Sequence, residues 1–430
     1  MICLLPNCCF LSETSRILEI YRALTSRGAR VKVATQGGPH EATLRDAGVP
    51  YDVLGPGMDA RRAAAFVRSV PGIGPADQGM WSDDELRSYV AAEVAYFREH
   101  DVKVAVTGWT LTALLSTRVV GIPLVTEHAG AYVPPVWERG LLPEPSMPLG
   151  LPLERLLPRG LRRWLINHGN ERLTNYTHGF NRVAGELDVP GVPSFAALLL
   201  SDLSLVTEVP EVLGIPRTGV DGWTPRDPGR YRSGTRLRYT GPIYAKLALP
   251  VPARVRTFLS EPGPKVYVAI TSSEASLVRA VVASLRPLDA RILVAATVHD
   301  LADLEDDRVL VEPILPSHEI MPAVDLAVIG GGQGSVQTAV ASGTPFIGLP
   351  LQPEQDTNVV MVERLGAGRR LATALAGTPE LTSLARRILA EPSYRAAARR
   401  LRAIYSTVDG ASAAADAILE LCDRTPAALA

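Results

Sequence analysis

Between Asp325 and Gly343 the chain reads DLAVIGGGQGSVQTAVASG, an apolar run that ends in a glycine cluster and passes into a helix-forming stretch. That order places the N–H groups of a helix's first turn just beyond a strand end, where they and the helix dipole attract an anion. Gly331, Gly332 and Gly334 allow close approach to the main chain, and Ser335 adds a hydroxyl donor. The chemistry is that of a diphosphate seat that needs no metal ion. Further on, FIGLPL reads as a buried strand that delivers Glu354, Gln355 and Asp356 to the same carboxyl edge of a sheet. A carboxylate beside an amide at that edge suits the hydroxyls of a sugar. A solvated acidic turn is the plain alternative, with more force for Asp356 than for Glu354.

Other ligands also use glycine clusters. A dinucleotide fingerprint needs GxGxxG, and Glu354 lies near where a ribose-binding acid would stand, but counting from Gly332 the third glycine position is Gln337. A Walker A loop fails because no GK[ST] follows. A purely structural turn leaves the downstream acid and amide without a reason.

The elements that must position these residues are legible from periodicity. MICLLPNCCFL reads as a first strand. Ile17, Leu18, Ile20, Tyr21 and Leu24 then recur at helical spacing, with Thr14 or Ser15 as N-cap, and RGARVKVAT turns into a second strand. VKVAVTGW, TLTALLSTRVV and GIPLVTEH continue as strand, helix and strand, the alternation of a parallel doubly wound sheet. A proline-rich, aromatic stretch from Tyr132 to Tyr176 breaks the pattern and is expected to form short helices and loops over a cleft. KVYVAI, EASLVRAVVASLRPL, RILVAAT and DLAVIGGG then begin a second alternation. The expected fold class is α/β, with two Rossmann-like domains at residues 1–236 and 237–405 and a C-terminal helix, 406–430, packing back on the first.

With 44 basic and 45 acidic residues the chain has a formal net charge of -1, which gives no long-range field for a polyanion, so nucleic acid is not an expected partner. Cys3, Cys8, Cys9 and Cys422 show no CxxC spacing and read as buried thiols in a reducing compartment rather than a metal site. The apolar opening has no basic residue before Arg16 and is broken by Pro6 and Asn7, so it does not read as a signal peptide. No run approaches the roughly 18 apolar residues of a membrane span. The expected setting is the cytoplasm, and a homodimer is allowed by the composition but not required by it. His128, at a strand end in VTEHAG, reads equally as a catalytic group or as a local cap. His178 reads as structural. Trp109, Tyr132, Trp137 and Trp164 are candidates for lining an acceptor pocket, with plain packing as the alternative for these aromatics.

With those residues in view, the segment from Val309 to Leu371 resembles the donor-binding signature of inverting nucleotide-sugar glycosyltransferases of the UDP-glucosyl and macrolide, natural-product type. The likeness is weaker but collinear over SRILEIYRALTSRGARVKVAT, LSTRVVGIPLV and YTGPI. It implies the GT-B fold, two Rossmann-like domains facing across a cleft. It also implies a UDP- or TDP-sugar as co-substrate, no cofactor or metal, and a small natural-product or nucleoside-like acceptor of the kind met in antibiotic biosynthesis. By resemblance, Gly332, Gln333, Gly334 and Ser335 would hold the donor diphosphate, and Glu354, Gln355 and Asn358 the donor sugar. Ile314 and Leu315 in EPILPSHEIMP would hold the nucleobase, with Ser272 and Ser273 of ITSS on the donor side.

The chain departs from that pattern at three positions. Gly330 stands where the family has a histidine that donates to the diphosphate. Glu13 stands where it has the histidine base, and Gly108 where it has the aspartate that steadies that base. Three readings of Glu13 follow: it is itself the base, with a pKa raised by partial burial; it orients the acceptor while His128 takes the proton; or the site is inactive and the chain is a binding or helper protein. A nicotinamide oxidoreductase is a further alternative, opposed by the missing third glycine.

Overall fold

Strand β1 (Ile2–Leu5) shows how the sequence makes the first layer. Ile2 and Leu4 enter one buried cluster, Cys3 and Leu5 another, so both faces of the strand are covered. Val104 and Val106 against Ala105 repeat this two-sided burial in β4 (Val104–Thr107). Buried parallel strands read as unbroken apolar runs for this reason. The computed structural model describes residues 1–69, 79–128, 130–146, 156–270, 273–297 and 299–424; the His128 side chain and Ser272 lie outside that description.

Five further strands complete the first sheet: β2 (Val31–Thr35), β3 (Asp52–Val53), β5 (Leu124–His128), β6 (Leu203–Val206) and β7 (Arg236–Tyr239). All pair in parallel, in the order β3-β2-β1-β4-β5-β6-β7. The order reverses between β1 and β4, which makes their carboxyl ends the switch point of the sheet, the usual place for a ligand in this architecture. The expected boundary at residue 236 falls inside β7; the first unit runs on to Ile243 and takes in Asp409–Ala430. The helix Gly410–Arg424 packs on the helix Leu11–Thr25. Gly410 is required where the chain returns, since a Cβ there would lie 2.3 Å from the Pro242 carbonyl oxygen. Arg27 closes the contact with Asp416 at 2.8 Å.

The second unit comprises Pro145–Pro148 and Tyr244–Val408. Its strands are β8 (Lys265–Ala269), β9 (Arg291–Ala295), β10 (Val309–Glu312), β11 (Leu326–Ile329), β12 (Phe346–Gly348) and β13 (Gly368–Arg370). They form a parallel sheet in the order β10-β9-β8-β11-β12-β13, with its switch point between β8 and β11. Alternate residues Val266 and Val268, Ile292 and Val294, and Leu326 and Val328 build one buried face. The four cysteines are free thiols, and three of them are buried. Among the described residues no helix is long and apolar enough to cross a membrane.

Candidate active site

In the second unit the switch point carries the glycine cluster. β11 ends at Ile329, and the helix Gln333–Ser342 starts immediately beyond Gly332, its N-cap. Gly331 has φ +84°, and a Cβ there would meet Val359 Cγ2 at 2.7 Å, so this position needs glycine for both its conformation and its packing. Gly332 differs: its φ of -59° suits any residue, and a Cβ there would have no atom of the described residues within 4 Å. The first turn of the helix therefore opens onto free space. Gln333 is buried. The Ser335 hydroxyl, expected to donate to a diphosphate, instead donates to the Gly332 carbonyl oxygen at 2.8 Å and braces the helix start. Only its lone pairs and the backbone N–H groups remain for a ligand.

The acid and amide lie in the first turn of a second helix, Pro353–Glu363, after β12. Asn358 is one turn on from Glu354; its Nδ2 donates to Glu354 Oε1 at 2.5 Å and to the Gly331 carbonyl at 3.2 Å. One amide thus joins the candidate sugar-gripping carboxylate to the glycine loop. Gln355 is buried, and its Oε1 accepts the Leu351 N–H at 2.7 Å, so its carbonyl end holds the preceding turn. Asp356 is no solvated turn residue. It is 1% exposed, pairs with Arg370 at 3.0 Å and accepts the Ser146 N–H at 2.7 Å. Burial raises its pKa against the pull of those partners.

Ile314 and Leu315 follow β10 and separate sharply: Ile314 is 46% exposed and Leu315 is in the core. Of the two, Ile314 is the side chain free to meet a flat ring. Ser273, after β8, donates its hydroxyl to the Ile270 carbonyl, and its own carbonyl contacts His299 Nε2 at 2.7 Å. Gly332, Glu354, Ile314 and Ser273 each follow a strand of one parallel sheet, so they share its carboxyl edge.

The first unit's switch point is built around Glu13, in the first turn of the helix Leu11–Thr25. Its carboxylate is 3% exposed. Oε1 accepts the N–H groups of Gly108 (3.0 Å) and Trp109 (2.9 Å), and Oε2 accepts that of Asn7 (2.7 Å). A Cβ on Gly108 would lie 2.5 Å from Glu13 Cγ. The side chain absent at Gly108 is therefore the space that Glu13 fills, and the carboxylate ties the end of β1 to the end of β4. Burial pushes its pKa up to about 8, against the Trp109 N–H, Arg16 and the Asn7 N–H, while Glu127 adds to the rise. Arg16 pairs with the fully buried Glu127 at 2.6 Å. Asn7 closes the arrangement, donating from Nδ2 to the Trp109 carbonyl at 3.1 Å and accepting the Cys9 N–H at Oδ1.

The aromatic candidates divide. Trp137 is 1% exposed, and Tyr132 is buried beside it with ring centroids 5.6 Å apart, its hydroxyl on Asn170 Oδ1. Both pack in the interior rather than line an open surface, and the helix that carries Trp137 packs against the helix Arg159–Gly169. Trp109 is half-buried and touches Glu13 through its backbone. Trp164 is 52% exposed and stacks on His168. His178 contacts only Thr174 in the preceding turn, at 3.4 Å. His128 ends β5, in register with Val206 of β6, on the same carboxyl edge as Glu13.

Residues 279–410 match the family model of the erythromycin biosynthesis protein CIII-like C-terminal domain. A PGL/p-HBAD biosynthesis glycosyltransferase of Mycobacterium tuberculosis is 26% identical over 324 residues, 74% of this chain and 70% of that protein. The 4'-demethylrebeccamycin synthase of Lentzea aerocolonigenes is 32% identical over 158 residues, 36% and 38% of the two chains. Among solved structures, the glycosyltransferase of kitacinnamycin superposes with a TM-score of 0.66 at 18% identity, covering 98% of both chains. Glycosyltransferase VinC in complex with DTDP gives 0.65 at 16% identity, over 99% of this chain and 100% of that one. The chain is thus similar to glycosyltransferases of the macrolide and natural-product type, and it has their GT-B fold of two Rossmann-like domains.

For a GT-B glycosyltransferase, the second unit keeps the glycine-opened helix and the acid held by an asparagine. In the first unit Glu13, where the resemblance leads one to expect a histidine, fills the space beside Gly108, where it leads one to expect an aspartate. Sequence reasoning missed Asn7, Arg16, Glu127 and Arg370. Asn7 carried the clearest signal, as a polar residue inside the apolar run LLPNCCFL. Arg16 and Glu127 are partners from distant parts of the chain, and Arg370 meets Asp356 only through the packing of a helix on the strand after it, so no local spacing announces them.

Proposed function

We propose that this chain is an inverting, metal-independent transferase that moves a sugar from a nucleoside diphosphate to a hydroxyl of a small natural-product or nucleoside-like acceptor. The observation that carries this reading is the open helix start at Gly332, joined through Asn358 to the Glu354 carboxylate. Backbone N–H groups and the helix dipole would neutralise the leaving diphosphate as charge develops, the work a metal ion does elsewhere. Glu354 would accept from sugar hydroxyls, Ile314 would pack on the base, and Gln333 and Ser273 would lie beside the phosphates.

In this scheme Glu13 is a positioning residue. Its three N–H donors and 3% exposure leave it joined to its own loops rather than presented to an acceptor. We assign the proton-accepting role to His128, which ends a strand on the same edge; imidazole is the side chain that most often serves as a general base near neutrality. Attack by the deprotonated hydroxyl on the sugar's anomeric carbon would expel the diphosphate from the opposite side.

Calorimetry with UDP, TDP and NAD, without added metal, tests the donor half. Binding of UDP or TDP and not NAD is the expected result. Binding of NAD alone would return the chain to the oxidoreductase reading. Binding of none of the three would favour a helper protein that kept the fold and lost the donor.

A further inference from the structure

The amino edge of the first sheet, opposite the edge that carries Glu13, holds a cavity of about 1030 Å³. It opens where β5, β6 and β7 begin, and its charged lining is Arg118, Asp202, Arg232 and Arg236. Three guanidinium groups thus face one carboxylate. That carboxylate is already engaged on both oxygens, with Arg232 Nε 2.9 Å from Oδ1 and the Leu124 N–H on Oδ2 at 2.8 Å.

The guanidinium groups are left short of acceptors. Arg232 Nη1 is buried, with no hydrogen-bond partner among the described residues. Arg118 donates through Nη1 to the Pro190 and Gly191 carbonyls, which are neutral, so that Asp202 is a charged partner it shares with Arg232. Burial and the nearby Arg232 charge lower the Arg118 pKa to about 10, the mark of two cations held close in a poorly solvated place. A buried donor without a partner, beside surplus positive charge, is what an absent oxyanion leaves behind. Val192 and Leu421 add apolar wall to the same cavity.

We propose that this cavity binds the phosphate group of a small phosphorylated molecule, with Arg118 and Arg232 on the phosphate oxygens and the molecule's apolar part against Val192 and Leu421. Planar guanidinium forks match phosphate geometry, and a cavity this size is at the upper end of small-molecule sites. The site is separate from the donor seat, which belongs to the other unit.

The test is calorimetry of the full chain with phenyl phosphate, and with phenol as the uncharged comparison. Phenyl phosphate should bind and phenol should not. Arg232→Gln should weaken phenyl phosphate at least about tenfold, the loss expected for one charge-assisted hydrogen bond. Ser233→Trp, at the exposed rim, fills the mouth without touching an ion pair and should weaken it equally, with an unchanged melting temperature as the check on folding. Gly332→Val, in the donor helix, should leave it unchanged. The proposal fails if phenyl phosphate does not bind at millimolar concentration, if phenol binds as well, or if Gly332→Val removes binding while Arg232→Gln and Ser233→Trp do not.

Discussion

Two glycines at equivalent places in the two units have opposite surroundings. Gly332, beyond β11 in the second unit, faces nothing within 4 Å; Gly108, beyond β4 in the first, faces the Glu13 side chain at 2.5 Å from where its own Cβ would be. Both stand at the switch point of a parallel sheet, where ligands bind. One leaves room for a molecule from outside, and the other is occupied by the protein's own carboxylate. A glycine at a sheet edge is evidence for a binding site only when the space beside it is open, and that is a property of the fold, not of the residue.

The largest expected effect lies at the proton-accepting group. If Glu13 only positions, His128→Asn should lower kcat by about a hundred- to ten-thousand-fold, the range for loss of a general base, with little change in KM for the donor. Steady-state kinetics with any accepted aglycone would measure it. A His128→Asn chain that keeps its kcat while Glu13→Gln loses a comparable factor would return the proton to Glu13 and reverse the contrast between the two units.

Filling the open glycine comes next. Gly332→Val puts a side chain into space that holds no atom of the described residues, at φ -59° and ψ 148°, which valine adopts without strain. Folding should change little, apart from a poorer N-cap at a cost of about 1 kcal/mol. Binding of UDP or TDP should fall by about a hundredfold or more, the weight of two charge-assisted contacts to the diphosphate. Calorimetry beside a melting curve separates the two effects. Equal affinity in the variant would show that the donor does not use this helix.

The occupied glycine responds through stability. Glu13→Gln keeps an oxygen for the Gly108 and Trp109 N–H groups but can turn an N–H toward that of Asn7, leaving a buried donor unpaired at a cost of about 1–3 kcal/mol. Its pH dependence has a definite sign. Burial raises the folded-state pKa of Glu13 from 4.5 to about 8, and that of the buried Glu93, held by Ser116, Thr112 and Gln36, to about 7. The folded chain therefore keeps protons that the unfolded chain releases, and stability declines as pH rises from about 5 to about 8. Removing the Glu13 titration should lower the melting temperature near pH 6 and make that decline shallower. A decline as steep in the variant as in the parent would exclude Glu13 from it.

How far each region was legible in the sequence follows the same division. The alternation of strands and helices, the parallel sheets and the glycine helix were readable because each is set by local periodicity and by residues a few positions apart. Asn358 on Glu354 is likewise a one-turn neighbour. Gly108 was readable as a gap in a family pattern, but its meaning depends on a residue 95 positions away. Asp356 and Arg370 are 14 positions apart, and they meet only when the helix Pro353–Glu363 packs against the strand that follows it. Tyr132 and Trp137 showed apolar bulk without showing whether it would face a ligand or the interior. Ser335 was misread because a hydroxyl three residues into a helix has its own N-cap carbonyl within reach, a nearer partner than any ligand.

The smallest effect tests the remaining glycine, Gly330, where the family pattern has a histidine. A Cβ at this position would meet only Ile270 Cγ2, at an ordinary 3.6 Å, so Gly330→His should be accepted with little change in melting temperature. If the open space beyond Gly332 takes the diphosphate in the family's manner, the new imidazole adds one charge-assisted hydrogen bond, and donor affinity should rise by about tenfold. The gain should be larger below pH 6.5, where histidine is ordinarily protonated, than above it. A loss of affinity would mean that the diphosphate lies closer to Gly330 than in the relatives, in space that the histidine then blocks; glycine here would be an adaptation for the donor instead of a missing contact.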